Sequence, residues 1–137
     1  ERRFNRHMIK LKDLLFEGHN DSDDSAGICL YSTGKLLCCK RTDSYWSVPK
    51  GRLYIGEEPV EGAKREFTEE TQIMLNGEPE LVLTKSKNKG KFHLFRFETE
   101  KRPVPHLDHE HSDWGYFDVT NLPQPFDEVI MEYIESD

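Results

Sequence analysis

Between Glu57 and Glu70 the chain carries six glutamates, at 57, 58, 61, 66, 69 and 70, against Lys64 and Arg65. Set on a helix at about 100° per residue, Val60, Ala63 and Phe67 form one apolar stripe that would pack on a core. Glu66, Glu69 and Glu70 lie beside it, related as i, i+3 and i+4, and so share one patch of surface. Each like-charge pair there costs some tenths of a kcal/mol. Carboxylates in the C-terminal half of a helix also oppose its macrodipole. A helix shaped by stability alone would carry a lysine at one of these positions. Hard divalent cations offer one remedy: Mg²⁺ takes oxygen ligands, keeps several waters and is shared with substrate phosphates. A solvated acidic helix face is the alternative, and the commoner role of a charge run.

The spacing around the cluster separates the two. Gly51 lies six residues before Glu57, and Glu57 eight before Arg65. The stretch GRLYIGEEPVEGAKREFTEETQI therefore reads Gly-x5-Glu-x7-Arg-Glu-Phe-x-Glu-Glu. It resembles the signature of the Nudix hydrolases, Gly-x5-Glu-x7-Arg-Glu-U-x-Glu-Glu-x-Gly-U with U a bulky aliphatic residue, across Gly51–Ile73. Two positions depart from it. Phe67 stands for the aliphatic residue and still fills the apolar stripe. Gln72 stands for the final glycine, where a left-handed helix end would cost a non-glycine residue about 1 kcal/mol.

The resemblance implies an α/β fold, a Nudix-type α/β/α sandwich with a mixed sheet between helices. It implies a Mg²⁺- or Mn²⁺-dependent enzyme that cleaves a nucleoside diphosphate linked to another moiety by attack of water on phosphorus. By the same resemblance the metal ligands are Glu66, Glu69, Glu70 and the backbone carbonyl of Lys50. Glu66 acts as or orients the general base, Arg65 holds a carboxylate in place, and Glu57 stabilises the packing of loop on helix. The run EHSDWGYF is similar to the family's Glu-His-x-x-x-Trp passage into its last strand. From HLDHEHSD, which supplies Asp108, Glu110 and Asp113, Glu110 is the expected extra ligand or base; an ordinary polar loop is the other reading. His93, His106, His109 and His111 do not read as zinc ligands, since His109-Glu110-His111 is too tight for either helical zinc spacing; His109 or His111 could still contact a phosphate.

Pro-Lys-Gly before the box resembles members that act on dinucleoside polyphosphates or diphosphoinositol polyphosphates. Lys50 would line a polyphosphate path, with Arg41 and Lys40 adding contacts. Trp46, Tyr54, Phe92 or Trp114 would offer a stacking face for a base, although core packing is the ordinary role of any one aromatic. The expected partner is a small-molecule nucleotide: a dinucleoside polyphosphate, a nucleoside triphosphate or a nucleotide sugar. An RNA 5′-end pyrophosphohydrolase is the alternative, with Lys85, Lys87, Lys89 and Lys91 as its local basic patch. A non-catalytic nucleotide-binding module ranks last, because no box glutamate is missing.

The elements that must position these groups fit one domain in 137 residues, long enough for a core without disulfide staples. A net charge of −7 disfavours a general grip on nucleic acid, yet leaves room for a nucleotide whose charge a cation offsets. No apolar run has the length of a membrane span and no signal-peptide pattern is present. Cys29, Cys38 and Cys39 read as reduced core residues of a cytoplasmic protein, with Cys38 and Cys39 on opposite strand faces. The protein is expected to act as a monomer or homodimer.

Residues 1–24 read as a polar N-terminal segment ending in the loop GHNDSDD, with ERRFNRH as a leader before Met8. Residues 25–137 form the single domain. Two strands flank Thr33-Gly34 as a hairpin, and TDSYWSVPKGRLYIGEEP reads as mostly loop. A helix starts near Pro59, strands ELVLTKS and KFHLFRFE flank the turn KNKG, and a polar loop leads into a strand at WGYFDV. Phe126, Val129, Ile130, Tyr133 and Ile134 mark a final amphipathic helix.

Overall fold

The computed structural model describes residues 21–136; most of the polar N-terminal segment, with the leader before Met8, lies outside the described residues. The elements run β1 (Asp21–Ser32), β2 (Lys35–Arg41), β3 (Trp46–Ser47), β4 (Lys50–Tyr54), α1 (Pro59–Thr71), β5 (Glu80–Ser86), β6 (Lys91–Thr99), β7 (His111–Asp118) and α2 (Glu128–Ser136).

Strand β1 organises the sheet. It pairs in parallel with β6 from Ser25↔Phe92 to Ser32↔Thr99 and antiparallel with β4 from Asp21↔Tyr54 to Gly27↔Lys50. At its far end it turns into β2 through Thr33 and Gly34, whose φ values of 49° and 84° are the left-handed pair that a two-residue hairpin requires. β2 then pairs with β3 and β7, and β5 pairs with β6, all antiparallel. The sheet is mixed, as expected.

The period of two along β1 sends its side chains to two cores. Ala26, Ile28 and Leu30 join Leu37, Phe95 and, from α1, Ala63 and Phe67. Cys29 and Tyr31 join Leu36, Cys38, Leu94 and, from α2, Ile130. Each helix thus covers one face of the sheet, which gives the α/β/α sandwich. The three cysteines are free and buried, with Cys38 and Cys39 on successive positions of β2.

Three sequence expectations change. Asp21–Asp24 are not loop but the start of β1, where Asp24 Oδ1 accepts the Lys91 N–H at 2.8 Å. The segment read as mostly loop contains β3 and β4, strands of two and five residues. Pro49 and Gly51 break their hydrophobic pattern, and pairing makes them strands, β3 with the adjacent β2 and β4 with the distant β1. The last strand begins at His111 rather than Trp114.

Candidate active site

Helix α1 starts with Pro59 at its first turn and ends with Gln72 in the left-handed region, φ 61° and ψ 22°, its N–H donated to the Thr68 carbonyl. Phe67 and Ala63 anchor the inner face, fully buried, and thereby turn Arg65, Glu66, Glu69 and Glu70 toward β4. Helix and strand approach closely. At Gly51 a Cβ would overlap the Glu66 carboxylate, and at Gly62 it would overlap Leu53 Cδ2 and press on Glu57. The box glycine is required by that contact.

Arg65 is the hub. Its Nε donates to Glu57 Oε2 at 2.9 Å and its Nη2 to Glu57 Oε1 at 3.1 Å. Nη2 also donates to the Arg52 carbonyl at 3.0 Å. Nη1 reaches Glu66 Oε2 at 3.2 Å and Glu69 Oε2 at 3.1 Å. The guanidinium lies 4.0 Å from the centroid of the Tyr54 ring, and Glu57 Oε1 accepts the Tyr54 N–H at 2.9 Å. One buried cation therefore ties the strand, the loop and three carboxylates together. Burial opposes its charge, but the Glu57 hydrogen bonds and the charges of Glu66 and Glu69 outweigh that and hold it protonated.

Burial pushes the Glu66 carboxyl up to about 7, with the charge of Glu69 adding to it. Burial first, then Glu66 and Asp108, hold Glu70 well above the usual carboxylate range. The Glu66 and Glu70 side chains are hydrogen-bonded to each other, and Glu70 Oε1 also accepts the Lys50 N–H at 3.3 Å. These acids open on a cleft of about 830 Å³ between β4, α1 and the segment before β7.

The cleft brings together most of the expected residues. Arg65, Glu66, Glu69, Glu70, Lys50, Tyr54 and Glu110 line it, while Glu57 stands behind Arg65. Lys50 puts its backbone against Glu70, but its ammonium runs away from the carboxylates to Asp127 Oδ2 at 3.6 Å. Tyr54 offers the cleft a ring with Arg65 packed against it, a wall more than an open stacking face. Arg41 sits apart, on a smaller cavity behind Glu70 that it shares with Ser47 and His111, and pairs with Asp43 at 3.5 Å. Trp46 does not reach the cleft. It is buried against Phe117 in an edge-to-face contact at 5.3 Å and belongs to the core on the α2 side. A stacking role for Trp46 is corrected by that packing.

Two residues beside Glu110 are more tightly built into the site. Asp108 Oδ1 accepts the Glu110 N–H at 3.2 Å and lies 2.7 Å from His111 Nδ1. The His111 ring is buried and faces Glu70. Its orientation comes from an irregularity in β7, which pairs Lys40 with Asp113 but Arg41 with His111. The extra residue, Ser112, gives His111 the face that Trp114 and Tyr116 share with α1. A bulge leaves no trace in periodicity; the acidic and histidine-rich HLDHEHSD was the only signal.

Among the described residues no three carboxylate, imidazole or thiol side chains converge around a point that would hold an ion. In type, the donors fit a hard cation, because Glu66, Glu69 and Glu70 supply oxygens alone and line one cleft. Burial of Glu66 and Glu70, and the charge of Glu66 on Glu70, are an electrostatic cost that such an ion would relieve.

The family model described as the NUDIX domain matches residues 21–135. The fold is similar to that of a MutT NUDIX hydrolase from Burkholderia pseudomallei, 22% identical with a TM-score of 0.72, covering 85% of this chain and 98% of that one. It is also similar to an E. coli dihydroneopterin triphosphate pyrophosphohydrolase, 18% identical with a TM-score of 0.68, covering 85% of this chain and 94% of that one. A C. elegans Ap4A hydrolase binary complex is 20% identical with a TM-score of 0.61, covering 82% and 93% of the two chains. No curated protein gives a significant match.

Proposed function

The chain belongs to the NUDIX family, and from that premise we propose that it is a pyrophosphohydrolase dependent on a divalent cation, with a dinucleoside polyphosphate as its favoured substrate class. Bound by Glu66, Glu69, Glu70 and the Lys50 carbonyl, Mg²⁺ or Mn²⁺ would neutralise phosphate charge and lower the pKa of a bound water. The chain's own residues do the rest. Arg65 holds Glu66 and Glu69 at set positions on α1. Glu66, lining the cleft beside Glu69 and Glu70, would accept a proton from the attacking water or orient that water. Glu110 faces the same cleft from the β7 side and is the second candidate base or ligand.

The observation that carries the reading is the clamp of one buried arginine on three box carboxylates beside an open cleft. The substrate class rests on Lys50, whose backbone meets Glu70 and whose ammonium borders a second cleft of about 340 Å³ with Lys85 and Lys87. Lys50 is paired there with Asp127 at 3.6 Å and Lys85 with Glu132 at 2.7 Å. A second phosphorylated moiety would bind by exchanging these carboxylates for its own oxygens, while Lys87, hydrogen-bonded to Ser25, adds a third positive charge. The buried thiols suit a cytoplasmic setting, and among the described residues no helix is long and apolar enough to cross a membrane.

The test is a panel of diadenosine tetraphosphate, deoxynucleoside triphosphates, a nucleotide sugar and 5′-triphosphorylated RNA, incubated with Mg²⁺ and resolved by chromatography. The largest kcat/KM is expected for the dinucleoside polyphosphate. Preferential release of pyrophosphate from RNA would move the lysines of the β5–β6 hairpin to an RNA 5′ end instead. No turnover of any diphosphate-linked nucleotide would sink the proposal.

A further inference from the structure

Helix α1 ends on a backbone that a glycine would adopt at less cost. Gln72 sits at φ 61° and ψ 22°, a region that residues with a Cβ rarely enter. The turn is fixed from both sides. The Gln72 N–H donates to the Thr68 carbonyl at 2.7 Å. The Ile73 N–H donates to Thr71 Oγ1 at 3.1 Å, and Thr68 Oγ1 donates to the Ile73 carbonyl at 3.1 Å. Ile73 itself is buried in the core on the α1 side. A non-glycine residue kept in this conformation by its surroundings is a feature of functional sites. The half-buried Gln72 lines the same cleft as Glu66, Glu69 and Glu70. The segment before β7 is tied to the end of α1: the His106 N–H donates to the Thr71 carbonyl at 2.8 Å and the Asp108 N–H to the Glu70 carbonyl at 3.3 Å. Those bonds bring Leu107, also half-buried and also lining the cleft, to the helix end where Gln72 lies.

We propose that Gln72 is a specificity-determining residue whose amide hydrogen-bonds the edge of a nucleobase seated against Leu107. This rests on the reading of the cleft as a pyrophosphohydrolase site. The carboxylates of α1 suit a cation and the phosphates it carries, whereas a neutral amide beside an apolar side chain suits the uncharged part of a nucleotide. A primary amide offers two donors and an acceptor oxygen. It can give a hydrogen to adenine N7 while taking one from N6, but guanine presents two acceptors, O6 and N7, on the same edge. Adenine is the base that this pairing favours. A glycine at position 72 would end the helix without strain and offer the base nothing.

The test compares kcat/KM for diadenosine and diguanosine tetraphosphate in Mg²⁺, with Tm as the measure of fold. Gln72→Gly removes the amide and relaxes the backbone. Gln72→Met removes the amide but keeps the length of the side chain and the left-handed strain. The parent is expected to favour the adenine dinucleotide by about fivefold or more, and both variants are expected to lose that preference. Gln72→Gly should also raise Tm by about 3–5 °C, with Gln72→Met near the parent. A parent without the preference overturns the inference, as does a preference that survives in both variants. A preference lost in only one of them overturns it too, by assigning the effect to the helix end and not to the amide. So does an equal fall in the turnover of both dinucleotides at an unchanged ratio, which would put the amide on the phosphates or sugars they share. A parent protein that hydrolyses neither dinucleotide overturns the pyrophosphohydrolase reading itself, and this inference with it.

Discussion

Arg65 and Glu57 meet fork to fork: Nε lies 2.9 Å from Oε2 and Nη2 3.1 Å from Oε1, with side chains 3% and 4% exposed. They stand eight residues apart, one on α1 and one in the loop before it, so their contact fixes how the box folds back on β4. Planar bidentate pairing is available to arginine and not to lysine.

Arg65→Lys is therefore expected to leave Glu57 buried with one partner and the Arg52 carbonyl with none from this side chain. Removing one member of a buried pair costs about 3–5 kcal/mol; the lysine, retaining the charge, should cost somewhat less. Urea denaturation of the two proteins gives the difference. A midpoint unchanged by Arg65→Lys would show that the clamp contributes little.

Gly51→Ala tests the close approach of β4 to the box. The added methyl must displace the Glu66 carboxylate, which it would overlap. Displacements near 1 Å at a reacting group can cost about 10²-fold in rate, so kcat should fall steeply while the far-ultraviolet circular dichroism stays that of the parent. Full activity in Gly51→Ala would mean that Glu66 need not sit where it does.

Stability should depend on pH through Glu66 and Glu70 when no divalent cation is present. Burial raises Glu66 from 4.5 to about 7 in the folded protein, so between those values the folded state binds more protons than the unfolded one. The contribution is fully present below the unfolded value and is lost as pH rises through about 7. In EDTA the urea midpoint should fall from pH 5 toward pH 7.5, and Glu66→Gln should flatten that slope. A midpoint that rises over this window for the parent, and not for Glu66→Gln, would contradict the assignment.

Burial pushes Cys29 up to about 12, and Cys38 and Cys39 are raised by burial as well. Thiolate is the reactive form, so an alkylating reagent at pH 8 should leave all three unlabelled in the folded protein and label them in urea. Rapid labelling of any one in the native state would place it at the surface.

The legibility of this chain in its sequence divides by the range of the contacts involved. Helix α1 and the strands β5 and β6 are written in local periodicity, and their bounds follow from Pro59, from the turn at Lys87–Gly90 and from the alternation of KFHLFRF. The box carries its own spacing, so Arg65 with Glu57, Glu66 and Glu69 could be named before any coordinates. The β3 and β4 strands could not: the two residues of β3 are too short to show a period, and the five of β4, with a glycine among them, acquire strand geometry only from β1, more than twenty positions earlier in the chain. The direction of the Lys50 side chain was equally hidden, since Asp127 lies at the far end of the sequence. Trp46 is ambiguous for a different reason: a single aromatic looks the same in sequence whether it lines a cleft or fills a core, and Phe117 decides it. The orientation of His111 depends on the extra residue in β7, a feature of pairing and not of pattern.

The most direct test of the account is the rate of diadenosine tetraphosphate hydrolysis in Mg²⁺, measured for the parent protein, for Glu69→Gln and for the parent in excess EDTA. The account predicts turnover by the parent, none above background in EDTA, and a loss of about 10²-fold or more in kcat for Glu69→Gln, a few kcal/mol of transition-state stabilisation. Turnover that survives both the chelator and the substitution would contradict it.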